Sequence, residues 1–194
     1  MDSTVNSTVD SRDGLDVVDL LTRQHEQIRT LFTTVEATRS DVRQRAFEEL
    51  RRFLAVHETA EELITHPHAR AAEGGRAVVD ARLKEETEAK KLLADLDGMD
   101  ATDVTFTTKL AALKLAVLAH AEAEEREEFP ILRATTDPDR LRRMATAVRA
   151  AEAIAPTHPH PSVGSSPAAN LLAGPLASVL DRTRDAVRAA MSRA

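Results

Sequence analysis

The chain of 194 residues contains no cysteine, no tryptophan and no tyrosine. Without cysteine it cannot form disulfides, thiolate metal sites, iron–sulfur clusters or cysteine nucleophiles. A bound metal ion must therefore be held by histidine and carboxylate side chains. The lack of tyrosine excludes a tyrosyl radical, and five phenylalanines offer little aromatic surface for stacking on nucleotide bases.

The charge and hydropathy of the chain indicate a protein that contacts neither nucleic acid nor membrane. Its net charge is −6, so a basic surface that neutralises phosphates is not expected. The sequence has no run of about 18 apolar residues, and its acidic, polar N-terminus does not resemble a signal peptide. Because 42% of the residues are hydrophobic, a core can form, and we expect a cytoplasmic protein.

Apolar residues recur at helical spacing in four segments of the first 130 residues, which predict helices A to D. Helix A begins near Asp16, and helix B is predicted to end at His66-Pro67-His68 because proline breaks a helix. Helix C spans about Val78 to Leu96, and helix D runs from near Thr105 to Phe129-Pro130. The short links between these helices favour an antiparallel four-helix bundle.

The remainder of the chain divides into a tail, a helical extension, a linker and a further helix. Residues 1–14 are small and polar, as expected of a flexible tail, and residues 135–154 predict a short extension of a bundle that covers residues 15–134. Four prolines within residues 155–169 indicate an extended linker. Residues 170–194 predict an amphipathic helix that packs on the bundle or on a second copy, which leaves the oligomeric state open. The predicted fold class is all-α.

Three of the predicted helices carry metal-ligating side chains on their apolar faces. His25 lies on helix A, the pair His57/Glu61 on helix B and the pair His120/Glu124 on helix D. The members of each pair are four residues apart, so both side chains project from the same face of a helix, about 6 Å apart along its axis. Each pair can therefore contribute two ligands to one cluster.

This ordered set resembles the hemerythrin-like, HHE cation-binding family over roughly residues 15–134. The resemblance implies a four-helix bundle that holds two iron ions bridged by oxide or hydroxide. It implies that His25 and His57 are terminal ligands of one iron and that His120 belongs to the other. Glu61 and Glu124 correspond to the carboxylates that bridge the two irons.

Helix C departs from the family pattern, because the family supplies a histidine there and this chain has none between His68 and His120. The register of the apolar stripe in helix C points to Glu86 as the sixth ligand, with an empty or water-filled position as the alternative. A third carboxylate lowers the charge of the centre and stabilises ferric iron. Such a centre is better suited to reaction with peroxide or nitric oxide than to reversible oxygen carriage.

Other histidines and acidic residues have simpler interpretations from their surroundings. Two His-Pro-His sequences indicate a turn and a linker, and most of the acidic residues near the pairs indicate solvated helix faces. Glu128 is either a hydrogen-bond acceptor for a ligand histidine or a capping or solvated residue. The turn and linker histidines are His66, His68, His158 and His160, and the solvated acidic residues are Glu58, Glu62, Glu122, Glu125 and Glu127.

The leading hypothesis from the sequence is a non-haem di-iron protein that binds or turns over a small ligand, namely peroxide, nitric oxide or dioxygen. Whether it is an enzyme stays open, although peroxide disproportionation or nitric oxide consumption is favoured over hydroxylation. The alternative is an iron buffer or sensor that signals through the C-terminal helix. A purely structural bundle is disfavoured, since burying three histidines and three carboxylates at one level without a cation is costly.

Overall fold

A computed structural model of the chain describes residues 14–154 and 173–192, and within these residues all regular structure is helical. The predicted tail, apart from Gly14, and the predicted linker lie outside the described residues. The α-helices are α1 (Val17–Ala37), α2 (Ser40–Ala60), α3 (His66–Ala71), α4 (Gly75–Leu96), α5 (Phe106–Ala123), α6 (Phe129–Thr135), α7 (Pro138–Ile154) and α8 (Ala173–Met191). Two π-helical turns, Glu61–Thr65 and Glu124–Glu128, join α2 to α3 and α5 to α6.

The prediction that helix B ends at Pro67 is wrong, because the backbone stays helical as far as Ala71. Proline has no N–H to donate, and its ring collides with the carbonyl four residues earlier in a regular α-helix. The π turn removes this conflict by widening the ladder, so that the N–H of His66 donates to the carbonyl of Glu61, five residues back.

Helix D passes Pro130 in the same way, so the prediction that it stops there is also wrong. The N–H of Phe129 donates to the carbonyl of Glu124, again five residues back. In both helices the proline lies six residues after the glutamate of the histidine–glutamate pair. Each proline is therefore accommodated by a π turn that begins at a predicted metal ligand.

Two clusters of buried apolar side chains form the core, and α1 contributes to both of them. Val17 and Leu21 belong to the first cluster, which also takes in much of α7, whereas Ile28 and Phe32 belong to the second. His25 lies between these two pairs on the same buried stripe of α1. The polar site is thus enclosed between two apolar regions that exclude water from it.

The helices beyond residue 135 pack on the rest of the molecule. Met144 and Val148 of α7 are buried in the first core cluster, and Val187 of α8 joins the same cluster. The C-terminal helix thus packs back onto the chain, which was one of the two predicted arrangements. None of the described helices combines the length and the apolar character needed to cross a membrane.

Candidate metal centre

The structure brings the predicted ligands of α1, α2 and α5 together in the interior. His25, Glu61 and Glu124 have no exposed surface, and His57 and His120 are each 4% exposed. Both glutamates stand at the first position of a π turn. The residues that the sequence selected on three separate helices therefore form one buried cluster.

The distances within this cluster are those of atoms that can share a cation. His57 Nε2 lies 3.3 Å from an oxygen of Glu61. Glu124 presents one oxygen 3.4 Å from His25 Nε2 and the other 3.4 Å from His120 Nε2. Two ligand atoms bound to one ion at 2.0–2.2 Å are about 3.0–3.5 Å apart. The two oxygens of Glu124 thus face two different histidines.

Several of these atoms have no hydrogen-bond partner among the described residues. They are Nε2 of His25, Nε2 of His120 and both carboxylate oxygens of Glu61 and of Glu124. Burying such groups without partners is costly, and buried carboxylates are normally paired or bound to metal. Imidazole nitrogens with carboxylate oxygens form a donor set that suits iron, and also zinc or manganese. The residues present therefore fit a cation site.

The opposite nitrogen of each of these histidines is held by a hydrogen bond. Such bonds fix the tautomer and leave the Nε2 lone pair directed at the site, which is the usual support for a metal-bound histidine. The Nδ1 contacts are His25 to Glu125 at 2.7 Å, His57 to Gln24 at 2.7 Å and His120 to Glu85 at 3.1 Å. Glu125 was predicted to lie on a solvated face, but its side chain is half-buried against His25.

The cluster holds protons when no cation is bound. Burial alone would lower the pKa of His25, but the carboxylates of Glu124 and Glu61 raise it to about 10. The pKa of His120 is likewise raised to about 10, against the effect of burial, mainly by Glu124. Burial and the neighbouring Glu124 raise the pKa of Glu61 to about 7. A cation must therefore displace protons from these side chains.

One group of four ligands is complete within a small radius. His25, His57, Glu61 and Glu124 each offer an atom within 4.8 Å of those of the other three. His120 is not a member of this group and approaches it from the other oxygen of Glu124. The arrangement consists of a four-ligand position with a histidine on the far side of a shared carboxylate.

Glu86, the predicted sixth ligand, is buried beside the cluster with both oxygens engaged. One oxygen accepts a hydrogen bond from Nε2 of His66 at 2.7 Å, and the other accepts one from Nζ of Lys90 at 2.9 Å. Burial alone would raise its pKa, but His66 and Lys90 lower it to about 2. The assignment of Glu86 as a ligand stays a prediction.

His66 is a buried residue of the site that the sequence analysis wrongly assigned to a turn. It is 3% exposed and joins Glu86 to Glu128, whose carboxylate lies 2.8 Å from its Nδ1. Burial alone would lower the pKa of His66, but these two carboxylates raise it to about 11. His66, Glu124 and Glu128 form a second group with atoms within 4.8 Å of one another. The π turn adds a residue and so directs the fifth residue after Glu61 inward.

Glu58 also differs from its prediction as a solvated residue. It is 8% exposed, and one of its oxygens is buried without a hydrogen-bond partner among the described residues. Burial and the nearby Glu86 raise its pKa to about 8. No sequence pattern separates Glu58 from the solvated acidic residues, because its burial comes from packing on every side of α2 between Val56 and Ala60. Glu122 is exposed, as predicted.

A cavity of about 340 Å³ opens beside this edge of the cluster, between α2, α4 and α5. Its walls are mostly apolar, and its charged residues are Glu58, Glu62, Lys90 and, from α8, Arg184. The apolar residues of the lining are Leu54, Ala55, Ala89, Leu93, Leu113 and Val117. The cavity has the size of a small-molecule pocket.

Comparisons with known proteins bear on this arrangement. The chain is 27% identical over 134 residues to an uncharacterised hemerythrin-like protein of Schizosaccharomyces pombe, and this match covers 68% of the chain and 66% of that protein. It is 24% identical over 151 residues to a DNA nickase of a Nostoc species, and this match covers 77% of the chain and 42% of that protein. The chain thus spans just under two thirds, and less than half, of the lengths of these two relatives.

The fold is similar to a solved structure. It matches the crystal structure of a hemerythrin HHE cation binding domain-containing protein from Mycobacterium kansasii with a TM-score of 0.65 and 19% identity. The match covers 92% of this chain and 98% of that one. The sequence profile of the hemerythrin HHE cation binding domain matches residues 16–132. The chain therefore belongs to the hemerythrin HHE cation-binding family.

Proposed function

We propose that this protein is a non-haem di-iron protein that binds or turns over a small ligand, namely peroxide, nitric oxide or dioxygen. The observation that carries this proposal is the position of Glu124. Its two buried oxygens lack hydrogen-bond partners among the described residues and face His25 on one side and His120 on the other. A carboxylate in that position can bridge two cations.

The first ion is assigned to the four-ligand group of His25, His57, Glu61 and Glu124. The second is assigned to His120 and the other oxygen of Glu124, and we propose the buried carboxylates of Glu86 and Glu58 as its further oxygen donors. Both of these carboxylates are buried, and Oε2 of Glu58 has no hydrogen bond among the described residues, although Nζ of Lys90 lies 3.5 Å from it. A site rich in carboxylates stabilises ferric iron, which favours turnover of an oxidising ligand over reversible carriage.

When bound, the iron pair would supply electron transfer and an open coordination position. The chain's own residues hold the ligand atoms in place and exclude bulk water. The orienting hydrogen bonds keep each Nε2 aimed at the site, and the two apolar clusters enclose it. The cavity beside Glu58 and Lys90 offers a small ligand a route through apolar walls.

We also propose that the four long helices α1, α2, α4 and α5 form an antiparallel four-helix bundle.

The assignment of two ions is tested by loading the metal-free protein with Fe²⁺ in the absence of oxygen and measuring bound iron per chain. We expect about two irons in the unmodified protein and about one in H25A and in H120A. E124A should lose most of both, because it removes the shared ligand. E122A removes an exposed carboxylate next to the same segment and should keep both irons. Two tightly bound irons in E124A would contradict the proposal.

The ligand is tested by mixing the iron-loaded and metal-free proteins separately with peroxide, nitric oxide and dioxygen. We expect the loaded protein to consume or bind at least one of the three, with a change in its near-ultraviolet absorption. The chain has no tryptophan or tyrosine, so this spectral region is nearly free of protein absorption. Identical behaviour of the loaded and metal-free proteins towards all three would contradict the proposed function.

A second candidate function is an iron buffer or sensor that signals through α8. Val187 of α8 belongs to the same core cluster as Phe129, whose ring stacks on the His25 ring with 5.7 Å between centroids. Iron binding at His25 can therefore influence the packing of α8. Limited proteolysis with and without iron tests this alternative, which requires α8 to be protected in only one of the two states.

A further inference from the structure

The hydrogen bonds that orient His57 extend beyond the residues that match the family. Nδ1–H of His57 donates to Oε1 of Gln24 over 2.7 Å, and Nε2–H of Gln24 donates to Oε1 of Glu152 over 2.6 Å. Glu152 lies on α7, whereas the match to the family ends at residue 132. A side chain outside the family domain is thus two hydrogen bonds away from a metal-facing histidine.

The acceptor used by His57 differs in kind from those used by the other two histidines. His25 and His120 are oriented by the carboxylates of Glu125 and Glu85, which when ionised can only accept a hydrogen bond. The side-chain amide of Gln24 can present either its oxygen or its nitrogen to His57. A neighbouring residue therefore has to fix the orientation of this amide.

The direction of the Gln24 amide decides which nitrogen of His57 is free for a metal. With the oxygen towards His57, Nδ1 carries the proton and Nε2 keeps its lone pair, which points towards Glu61. With the amide reversed, Nδ1 would have to accept, the proton would reside on Nε2, and that atom could not bind a cation. Both Gln24 and His57 are buried, at 3% and 4% exposure, so water does not readily replace the hydrogen bond between them.

We propose that Glu152 is a positioning residue of the cation site, because its carboxylate draws the Gln24 amide nitrogen to itself and so keeps Nε2 of His57 free. α7 then supports the cation site through Glu152 and also packs in the core. Its place is fixed by Met144 and Val148 in the first core cluster, which holds Glu152 over Gln24. The inference rests on the proposed cation site.

The test combines one loss variant with a rescue variant. E152A removes the acceptor and leaves the Gln24 amide free to turn. Q24E/E152A places a carboxylate next to His57, and this group accepts from Nδ1–H in either orientation, so Glu152 is no longer needed. D139A removes an exposed carboxylate from the first turn of the same helix and serves as the control. Each protein is loaded with Fe²⁺ without oxygen, and the release of iron to excess chelator is followed.

We expect E152A to bind one of its ions about tenfold more weakly, which is the lower end of the loss seen when a hydrogen bond that supports a metal-bound histidine is removed. Q24E/E152A should retain iron within about twofold of the unmodified protein, and D139A should match it. Retention in E152A equal to that of the unmodified protein would overturn the proposal. So would a Q24E/E152A protein that loses iron as readily as E152A.

The tautomer of His57 in the metal-free protein provides a second readout that does not depend on iron. Burial and the nearby His25 lower the pKa of His57 to about 3, so its ring is neutral at pH 7. Nitrogen-15 shifts of the imidazole should show the Nδ1–H form in the unmodified and Q24E/E152A proteins and a mixture in E152A. Finding the Nε2–H form in the unmodified protein would overturn the proposal. An unmodified protein that binds no iron would refute the proposed function and leave this measurement valid.

Discussion

The side chains at the centre of the site hold protons that a cation has to replace. Their neighbours raise the pKa of His25 and of His120 to about 10, so both are protonated at pH 7 in the metal-free protein. Iron binds only to the neutral imidazole. Loading at pH 7 should therefore release about two protons, and the apparent affinity should rise with pH until about pH 10.

This proton release is measured by titration calorimetry in buffers of different ionisation enthalpy. Because each of the two ions displaces one of these protons, its apparent affinity should rise roughly tenfold per pH unit below about pH 10. A binding heat that is the same in every buffer would mean that no proton is displaced. That result would contradict the proton occupancy assigned to His25 and His120.

His66 supports the site through two buried ion pairs, so its removal should be strongly destabilising. H66A leaves the carboxylates of Glu86 and Glu128 buried without their shared partner, which typically costs about 3–5 kcal/mol. H68A is the matched control, because His68 is half-exposed and contacts Arg140 at the surface. Denaturant unfolding of the metal-free proteins at pH 7 measures both effects. A difference of less than about 1 kcal/mol between the two variants would contradict this account.

The pH dependence of this contribution follows from the two pKa values. Because the pKa of Glu86 is lowered to about 2, its contribution is present above about pH 4.5 and is lost as the pH falls towards 2. Because the pKa of His66 is raised to about 11, its contribution is complete below about pH 6.5 and is lost as the pH rises through 11. The difference in the free energy of unfolding between H66A and H68A should therefore be largest between about pH 4.5 and pH 6.5.

At the scale of elements, the turn between α3 and α4 sets the position of the helix that carries Glu86. A Cβ atom on Gly75 would lie 1.8 Å from the backbone oxygen of Ala69, so a larger residue forces the two helices apart. Gly74 has open space around its Cβ position but a φ of +76°. We expect G75A to lower the free energy of unfolding by about 2 kcal/mol or more, and G74A by about 1 kcal/mol.

Thermal and denaturant unfolding of these two glycine variants check the expected order. G74A is the control for loss of glycine flexibility, because it changes the neighbouring residue without a collision. Should G75A be as stable as G74A, the close packing of α3 against the start of α4 would be refuted.

The sequence predicted the helices and the residues that meet at the centre of the cluster because both depend on local spacing. Helical periodicity located α4 and the start of α5 within about three residues, and His57 and Glu61 fall on one face of any α-helix. The same local reasoning failed at Pro67, since a proline that ends an isolated α-helix is accommodated here by a π turn. The failure at Pro67 concealed His66, whose inward direction depends on that additional residue.

At the scale of the whole molecule, the inaccurate predictions concern contacts between residues far apart in sequence. Glu58 was expected in solvent because acidic runs usually lie on solvated helix faces, yet the packing around α2 buries it. No sequence pattern indicated a role for Glu152, and its hydrogen bond to Gln24 joins residues that are 128 positions apart. Periodicity identifies which face of a helix is buried, whereas tertiary packing decides which helices meet there.

Anomalous X-ray diffraction from iron-loaded crystals tests whether one buried carboxylate, that of Glu124, joins two cations. We predict two anomalous peaks at the iron absorption edge, one among His25, His57 and Glu61 and one beside His120, with Glu124 between them. A single peak within the four-ligand group, or iron bound elsewhere on the chain, would contradict the di-iron assignment.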